Sequence, residues 1–243
     1  MSLKRIDKLI ALNCNVTRKE ARQLIKDGVV SVNGNMVYRA EELVDSACDT
    51  VTVQGHTFCL KDHIYIMMNK PQGVITATED PRKETVIDLV PPELARRSLF
   101  PCGRLDRDTT GLLLITDDGE FCHKIMSPSH HVYKTYIAQL ARPLSDDAVK
   151  ALEEGILLDD GTQCLPAKIK YYEENGLPFA EIKIREGKYH QVKRMMCAVG
   201  NHVERLDRVR VGDLKLDTSL QRGECREITQ EELQMVFNDD SSI

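Results

Sequence analysis

The sequence predicts an α+β protein in two parts: a small domain of helices and a hairpin, then a larger domain built on a mixed, largely antiparallel sheet. Three observations favour this fold class. Two helical patterns and a hairpin signal come first, between residues 3 and 40. Apolar alternation typical of strands dominates after residue 60, and the few later helical patterns do not alternate regularly with strands, which excludes a doubly wound fold.

The first part has the order helix, helix, hairpin. A first helix is predicted by the helical spacing of Leu3, Ile6, Leu9 and Ile10. The capping-box pattern Thr17-Arg18-Lys19-Glu20 starts a second helix, and Gly28 ends it. Asn33-Gly34, after Val29-Val30-Ser31-Val32 and leading toward Val37, predicts a tight turn. We place this domain at residues 1–58.

The second part, residues 60–243, carries strand signals separated by turns. Strands are predicted from alternating or short apolar runs at 63–69, 112–116 and 180–185, and helices near 145–154, 191–199 and 230–237. The segment 51–63 holds a last strand of the first domain and a linker. No repeat or low-complexity segment interrupts this organisation.

Composition excludes several classes of protein. No apolar run approaches the roughly 20 residues of a membrane span, and the N-terminus shows no secretory signal, so we expect a cytoplasmic protein. The eight cysteines show no C-x-x-C spacing and are interpreted as free thiols rather than metal ligands. No heptad seam demands a partner, so the sequence favours a monomer.

The net charge of −5 conceals two basic regions. Residues 3–39 contain eight Lys or Arg against three acids, and residues 181–215 contain nine against five. On the second helix Arg18, Arg22 and Lys26 recur every four residues and predict one exposed stripe, with Lys19 beside it. Such a stripe can track successive phosphates of a nucleic acid; the alternative is a solubilising face.

The densest polar cluster is the segment Gly103–Gly111, in which arginines flank Asp106. Nearby positive charge keeps a carboxylate ionised, and a loop carboxylate can act as nucleophile or general base. One alternative is a turn in which Asp108 or Thr109 caps a helix. Another is the D-x-D-x-T pattern of haloacid-dehalogenase-type phosphatases, which requires an apolar strand running into Asp106 and does not find one in the sequence before it.

The run from Gly103 to Gly119, G-R-L-D-x-x-T-x-G-L-L-L-x-T-x-D-G, resembles the central motif of bacterial ribosomal pseudouridine synthases. Asn69-Lys70-Pro71-x-Gly73, Lys134-Thr135-Tyr136 and the segment 186–196 follow the family's order, and the last two resemble its small-subunit branch. The helices and Val-x-Val-Asn-Gly of residues 3–50 resemble the RNA-binding domain named after ribosomal protein S-four.

The resemblance implies isomerisation of one uridine in small-subunit (16S) rRNA, free or within an assembly intermediate, without metal or redox cofactor. It makes Asp106 catalytic, packs Tyr136 on a flipped base and pairs Lys193, an Arg in many members, with Asp106. Arg104 then holds a phosphate, fills the gap left by the base or only braces the loop, and Arg194 contacts phosphate.

The sequence leaves two alternatives open. His190 is interpreted as a hydrogen-bonding histidine, because no acid or base partner is recognisable in the sequence. A ribosome-assembly factor that uses the same fold only to bind RNA explains the basic regions equally well. It does not explain why Asp106, Tyr136 and Lys193 occur together.

Overall fold

Residues 3–46, 48–96, 98–127 and 132–238 are described by the computed structural model, without the side chains of Phe58 and Cys59. The chain separates into two units. One unit runs to Ile64 and also includes Pro91–Leu99; the other comprises Tyr65–Val90 and the chain from Phe100 onward. The outermost residues of the two predicted domains, 1–2 and 239–243, lie outside the described part.

The first unit contains the expected pair of helices and a hairpin. Its elements are β1 (Leu3–Arg5), α1 (Ile6–Asn13), α2 (Arg18–Lys26), β2 (Val30–Val32), β3 (Asn35–Met36), β4 (Leu43–Asp45), β5 (Thr50–Val53) and β6 (His56–Cys59). Both halves of the capping box are formed, since Thr17 accepts from the Glu20 amide and Glu20 accepts from the Thr17 amide. The strands make an antiparallel sheet in the order β3-β2-β5-β6, and β1 pairs with β4.

The prediction that Leu3 belongs to the first helix is wrong. Leu3 is 57% exposed and lies in β1, paired with Asp45 of β4, and the helix begins at Ile6 after an extended Arg5. Strand pairing therefore overrides a helical spacing that Leu3 shares with the buried Ile6, Leu9 and Ile10.

A buried carboxylate organises the basic face of α2. Asp7 is fully buried and accepts hydrogen bonds from Arg5 (3.1 Å), Arg18 (2.8 Å) and Arg22 (3.0 Å). Burial by itself raises the pKa of Asp7, but the three guanidinium groups outweigh it and lower the pKa to about 2. Arg18 and Arg22 stay half-exposed, so the same side chains that hold Asp7 face the solvent.

The second unit is built on a mixed sheet. Its strands are β7 (Tyr65–Lys70), β8 (Phe100–Pro101), β9 (Thr110–Thr116), β10 (Lys134–Leu140), β11 (Lys168–Glu174), β12 (Leu177–Ile184), β13 (Val203–Val211), β14 (Leu214–Lys215) and β15 (Cys225–Glu227). Within the described residues the order is β11-β12-β10-β13-β9-β7-β15, with β14 beside β13 and β8 beside β9. The pairs are antiparallel except β9 with β13, so the α+β, largely antiparallel prediction is confirmed.

Within the described residues, four helices accompany this sheet: α3 (Gly119–Met126), α4 (Asp146–Glu154), α5 (Gln191–Ala198) and α6 (Gln230–Met235). The last three confirm the helices expected from periodicity. Helix α3 was not predicted, because Asp117-Asp118-Gly119 at its start is also typical of a turn that closes a strand. Asp118 instead accepts hydrogen bonds from the amides of Glu120 and Phe121 and starts the helix.

One row of paired residues crosses the middle of the sheet, and the strand pairing fixes the distances between the residues of this row. Lys70 of β7 pairs with Gly111 of β9, Gly111 with Arg208 of β13, and Arg208 with Tyr136 of β10. Gly111 has a φ of +99°, and a Cβ at this position would lie 2.2 Å from the backbone oxygen of Arg208. The close approach of β9 and β13 therefore requires glycine here.

Separate apolar clusters stabilise the two units. In the first unit the buried cluster includes Ile6, Leu9, Ile25, Val30 and Val51; in the second, one cluster includes Met67, Leu112, Leu114, Phe121 and Val211. Seven cysteines are free thiols, as expected, and Cys59 lies outside the described side chains. Among the described residues no helix is long and apolar enough to cross a membrane.

We expect Asp7→Asn to lower the free energy of unfolding of the first unit by about 2 kcal/mol at pH 7, because one pKa unit corresponds to about 1.4 kcal/mol. The folded-state pKa of Asp7 is depressed, so its contribution is complete above about pH 4 and is lost as the pH falls towards 2. Urea unfolding, with hydrogen exchange of residues 3–64, measures both effects. Glu41→Gln is the matched control, since Glu41 contacts the same Arg5 but is exposed. Equal losses in the two variants would contradict the assignment.

Candidate active site

The polar segment found in the sequence forms a loop between β8 and β9. Within it the Thr109 amide donates to the carbonyl of Asp106 at 3.1 Å, and Thr76 bonds both the amide and the carbonyl of Leu105. Because β9 starts at Thr110, no helix follows for Asp108 or Thr109 to cap. No strand ends at Asp106 either, so the structural context of the phosphatase motif is missing from the described loop.

The buried ammonium group of Lys70 holds this loop in place. Lys70, at the end of β7, is fully buried, and its Nζ lies within hydrogen-bond distance of four carbonyl oxygens. They belong to Pro71 (3.1 Å), Asp106 (3.2 Å), Arg107 (3.4 Å) and Thr109 (3.0 Å). Burial lowers the pKa of Lys70 to about 8, against the opposing effect of the carboxylates of Asp108 and Asp106. The backbone on both sides of the Asp106 side chain is thereby fixed.

Two groups from the α5 region approach the Asp106 carboxylate. Lys193 Nζ lies 3.4 Å from Asp106 Oδ2 and 2.5 Å from Asp108 Oδ1, and His190 Nε2 lies 3.5 Å from Asp106 Oδ1. The hydrogen bond from Lys193 lowers the pKa of Asp108. The structure thus brings Lys193 to Asp106, the pairing that the sequence analysis expected.

Asp106 opens into a small cavity of about 60 Å³. The lining includes Arg104, Tyr136, His190 and Thr109. Tyr136 is 8% exposed and is fixed in β10 between β12 and β13, whereas Arg104 is exposed. The Thr109 hydroxyl is buried and has no hydrogen-bond partner in the described part of the chain. A cavity with a carboxylate and an aromatic wall can hold a planar polar group against a nucleophile or base.

The approach of His190 to Asp106 was not expected from the sequence. His190 has a left-handed backbone (φ 49°) immediately before α5, which turns its ring towards Asp106, 84 positions earlier in the chain. Neither the spacing nor the residue type indicates this approach. The sequence signal available for this contact was the pair of family motifs, one around Asp106 and one at 186–196. The structure places both motifs next to the cavity.

The structure commits Arg194 to other groups. Its guanidinium contacts Asp159 at 3.0 Å and Asp160 at 2.6 Å, and these carboxylates raise the pKa of Arg194. In the first unit, Lys19 and Lys26 are exposed on α2, while Arg18 and Arg22 share Asp7. Within the described residues no group of three or more His, Cys, Asp or Glu is arranged to hold a metal ion.

Comparison with known proteins identifies the family of this chain. The family model described as RNA pseudouridylate synthase matches residues 64–198, more than half of the chain, and the model described as S4 domain matches residues 4–51. The chain belongs to the RNA pseudouridylate synthase family, whose members isomerise uridine in RNA. Membership in an enzyme family answers the alternative of a protein that only binds RNA.

Relatives match over nearly the whole length. An uncharacterized RNA pseudouridine synthase, YtzG, of Bacillus subtilis is 44% identical, covering 96% of this chain and 98% of the relative. Ribosomal small subunit pseudouridine synthase A of Vibrio vulnificus is 42% identical, covering 96% and 99%, and that of Escherichia coli is 39% identical over the same shares. A crystal structure of a pseudouridylate synthase, 38% identical, superimposes with a TM-score of 0.66 and covers 96% of this chain and 99% of its own.

We expect the free energy of unfolding of the wild type, relative to Lys70→Met, to rise by about 3 kcal/mol between pH 8 and pH 10.5. The pKa of Lys70 is about 8 in the folded state and higher in the unfolded state, so the unfolded chain binds more protons in this window. Urea titrations under reducing conditions measure the difference. Lys124→Met is the control: Glu120 raises the pKa of Lys124, which gives the opposite sign and, at an exposed site, a small effect. A flat Lys70 difference would show that its ammonium is not desolvated.

Proposed function

We propose that this protein isomerises one uridine of small-subunit (16S) rRNA to pseudouridine, and that Asp106 is the catalytic carboxylate. The observation that carries the proposal is the position of Asp106, at the cavity and between Lys193 and His190. Relatives named ribosomal small subunit pseudouridine synthase A, at 38–42% identity over nearly the full length, support small-subunit rRNA as the substrate.

The reaction breaks the N-glycosidic bond of uridine, turns the uracil over and joins C5 to the anomeric carbon of the ribose. The hydrogen of C5 then leaves as a proton, so the isomerisation needs no oxidant or reductant. Asp106 can attack the anomeric carbon or remove a ribose proton, and both routes require the ionised carboxylate. Lys193, 3.4 Å away, stabilises that negative charge.

The other cavity residues would hold the nucleotide. Tyr136, fixed in β10, packs on the uracil ring after the nucleotide has left its stack. Arg104 is exposed at the cavity and either contacts a phosphate or fills the gap left by the base. Thr109 lines the same cavity beside them.

Grip on the folded RNA belongs, in this proposal, to residues 1–58, and catalysis to residues 60–243. Lys19 and Lys26 contact phosphates directly. Arg18 and Arg22 also contact phosphates, while Arg18 Nη2 and Arg22 Nε keep their hydrogen bonds to Asp7. Arg194 reaches a phosphate only if it exchanges Asp159 and Asp160 for it, so it contributes less. We propose that the protein acts as a monomer in the cytoplasm, on rRNA or on an assembly intermediate.

We expect Asp106→Asn to abolish turnover while RNA affinity changes little, since the amide keeps the shape of the side chain but removes the nucleophile or base. The measurement is tritium release from small-subunit rRNA labelled at uracil C5, because joining the ribose to C5 must expel that hydrogen. Release near one equivalent per rRNA indicates a single target uridine, which sequencing of the product then locates.

Asp80→Asn is the matched control for this experiment. Asp80 accepts from the amides of Arg82 and Lys83 through an oxygen that asparagine retains, so full turnover is expected. Turnover by Asp106→Asn would refute the catalytic assignment. Failure of the wild type on naked rRNA directs the assay to assembly intermediates, and failure on both would refute the proposed reaction.

The double variant Lys19→Gln, Lys26→Gln should weaken rRNA binding and lower the slope of log affinity against log salt by about 1.5, as expected for two lost phosphate contacts. Both lysines are exposed on α2, so the Asp7 cluster stays intact and turnover at saturating RNA is retained. Filter binding over a series of salt concentrations measures the slope. The double variant Lys150→Gln, Lys170→Gln, at exposed positions of α4 and β11 in the second unit, is the charge-matched control. An unchanged slope in the double variant would remove these lysines from the interface.

A further inference from the structure

An exposed aromatic ring stands next to the cavity and is not used by the proposed chemistry. Tyr189 is 75% exposed, and its ring stacks on that of His190 with centroids 3.8 Å apart and planes inclined by 17°. His190 lines the cavity and lies 3.5 Å from Asp106. One face of Tyr189 therefore rests on the cavity wall, and the exposed fraction leaves the other face open.

The segment that carries Tyr189 is held firmly although the ring is exposed. Gln191 is 4% exposed; its side chain donates to Glu186 (2.6 Å) and accepts from the amide of Lys188 (2.9 Å). The Lys188 ammonium contacts Glu186 at 2.8 Å and the carbonyl of Gln163 at 2.6 Å. A ring fixed in this way loses little conformational entropy when a ligand covers it.

Other aromatic side chains of the second unit do not offer this surface. Among its described Tyr and Phe residues, Phe237 is also exposed, at 42%, but its ring packs edge-on against Phe121. Tyr136, inside the cavity, is buried. Tyr189 is thus the stacking platform available at the rim of the cavity.

The substrate RNA itself supplies a group that can cover the open face of Tyr189. Nucleotides on either side of the target uridine are covalently joined to it, so when the uridine enters the cavity its neighbours must stay at the rim. Bases stack on exposed aromatic rings with little regard to sequence, because every base has a π-face. Removal of the uridine from its stack also leaves a neighbouring base with one uncovered face.

We propose that the open face of Tyr189 stacks on a nucleobase adjacent to the target uridine. Because Tyr189 also stacks on His190, the flanking nucleobase is then connected through these two rings to a residue that lies beside Asp106. This inference rests on the proposed function, since it requires that the cavity at Asp106 receives the target uridine.

The test compares Tyr189→Ala, Tyr189→Phe and the wild type on small-subunit rRNA fragments around the uridine located by the tritium assay. Three fragments are used: one is unmodified, one carries an abasic residue 5′ of that uridine, and one carries an abasic residue 3′ of it. Loss of the stack in Tyr189→Ala should weaken binding of the unmodified fragment about tenfold, within the range for one base–aromatic stack. Tyr189→Phe should bind like the wild type.

The abasic fragments decide the assignment. At one flanking position the wild type should lose about tenfold in affinity, and Tyr189→Ala should lose nothing further, because the partner ring is already absent. Tyr171→Ala is the control, as Tyr171 lies in β11 with its hydroxyl on Glu173, and it should keep the wild-type penalty.

Equal abasic penalties in the wild type and in Tyr189→Ala, with turnover by the wild type intact, would overturn the stacking proposal alone. A lower kcat with unchanged affinity in Tyr189→Ala would overturn it too, since the ring would then only position His190. Absence of turnover by the wild type on every rRNA substrate would refute the proposed function first.

Discussion

The ammonium group of Lys70 beneath the loop that carries Asp106 is the interaction on which the site depends. A buried cation is unfavourable unless its hydrogen-bonding capacity is used, and here four carbonyl oxygens surround it. Three of them belong to the loop, so one side chain fixes the backbone at Asp106, Arg107 and Thr109. Lys70 is placed in turn by its pairing with Gly111, where β9 and β13 approach too closely for any side chain. The same row reaches Tyr136, which sets the aromatic wall relative to the carboxylate.

Most of the fold could be predicted from the sequence because its signals are local. A capping box, Asn-Gly between valines and alternating apolar residues each depend on neighbours in the chain, and α2, the hairpin and β12 follow from them. Elements set by distant partners were missed. Leu3 joins a strand because β4, about 40 residues further along the chain, pairs with it. Helix α3 was missed although its signal is local: Asp118 caps it through amides two and three residues later, but Asp117-Asp118-Gly119 is also typical of a turn.

The site residues also divide into those that local sequence signals indicate and those that only distant contacts define. Asp106 could be singled out because two arginines and two glycines surround it in sequence, and Lys193 because the family resemblance pairs it with Asp106. The burial of Lys70, the approach of His190 and the engagement of Arg194 by Asp159 and Asp160 arise from residues far apart in the chain. Residue types at a spacing cannot report such contacts. The opposing charges that occupy Arg194 also show why a count of basic residues overstates the surface free for RNA.

The segment Pro91–Leu99 has a topological consequence. Because it belongs with the residues before Ile64, the polypeptide passes between the two units at 64–65, at 90–91 and at 99–100. Arg96 of this segment donates to Asn13 at the end of α1. A single cut after Ile64 would therefore not release the RNA-gripping part as an intact module: it would strip away a piece of its own structure and leave that piece inserted in the other fragment. The protein is two units by packing but one by connectivity, so neither can be exchanged as a simple cassette.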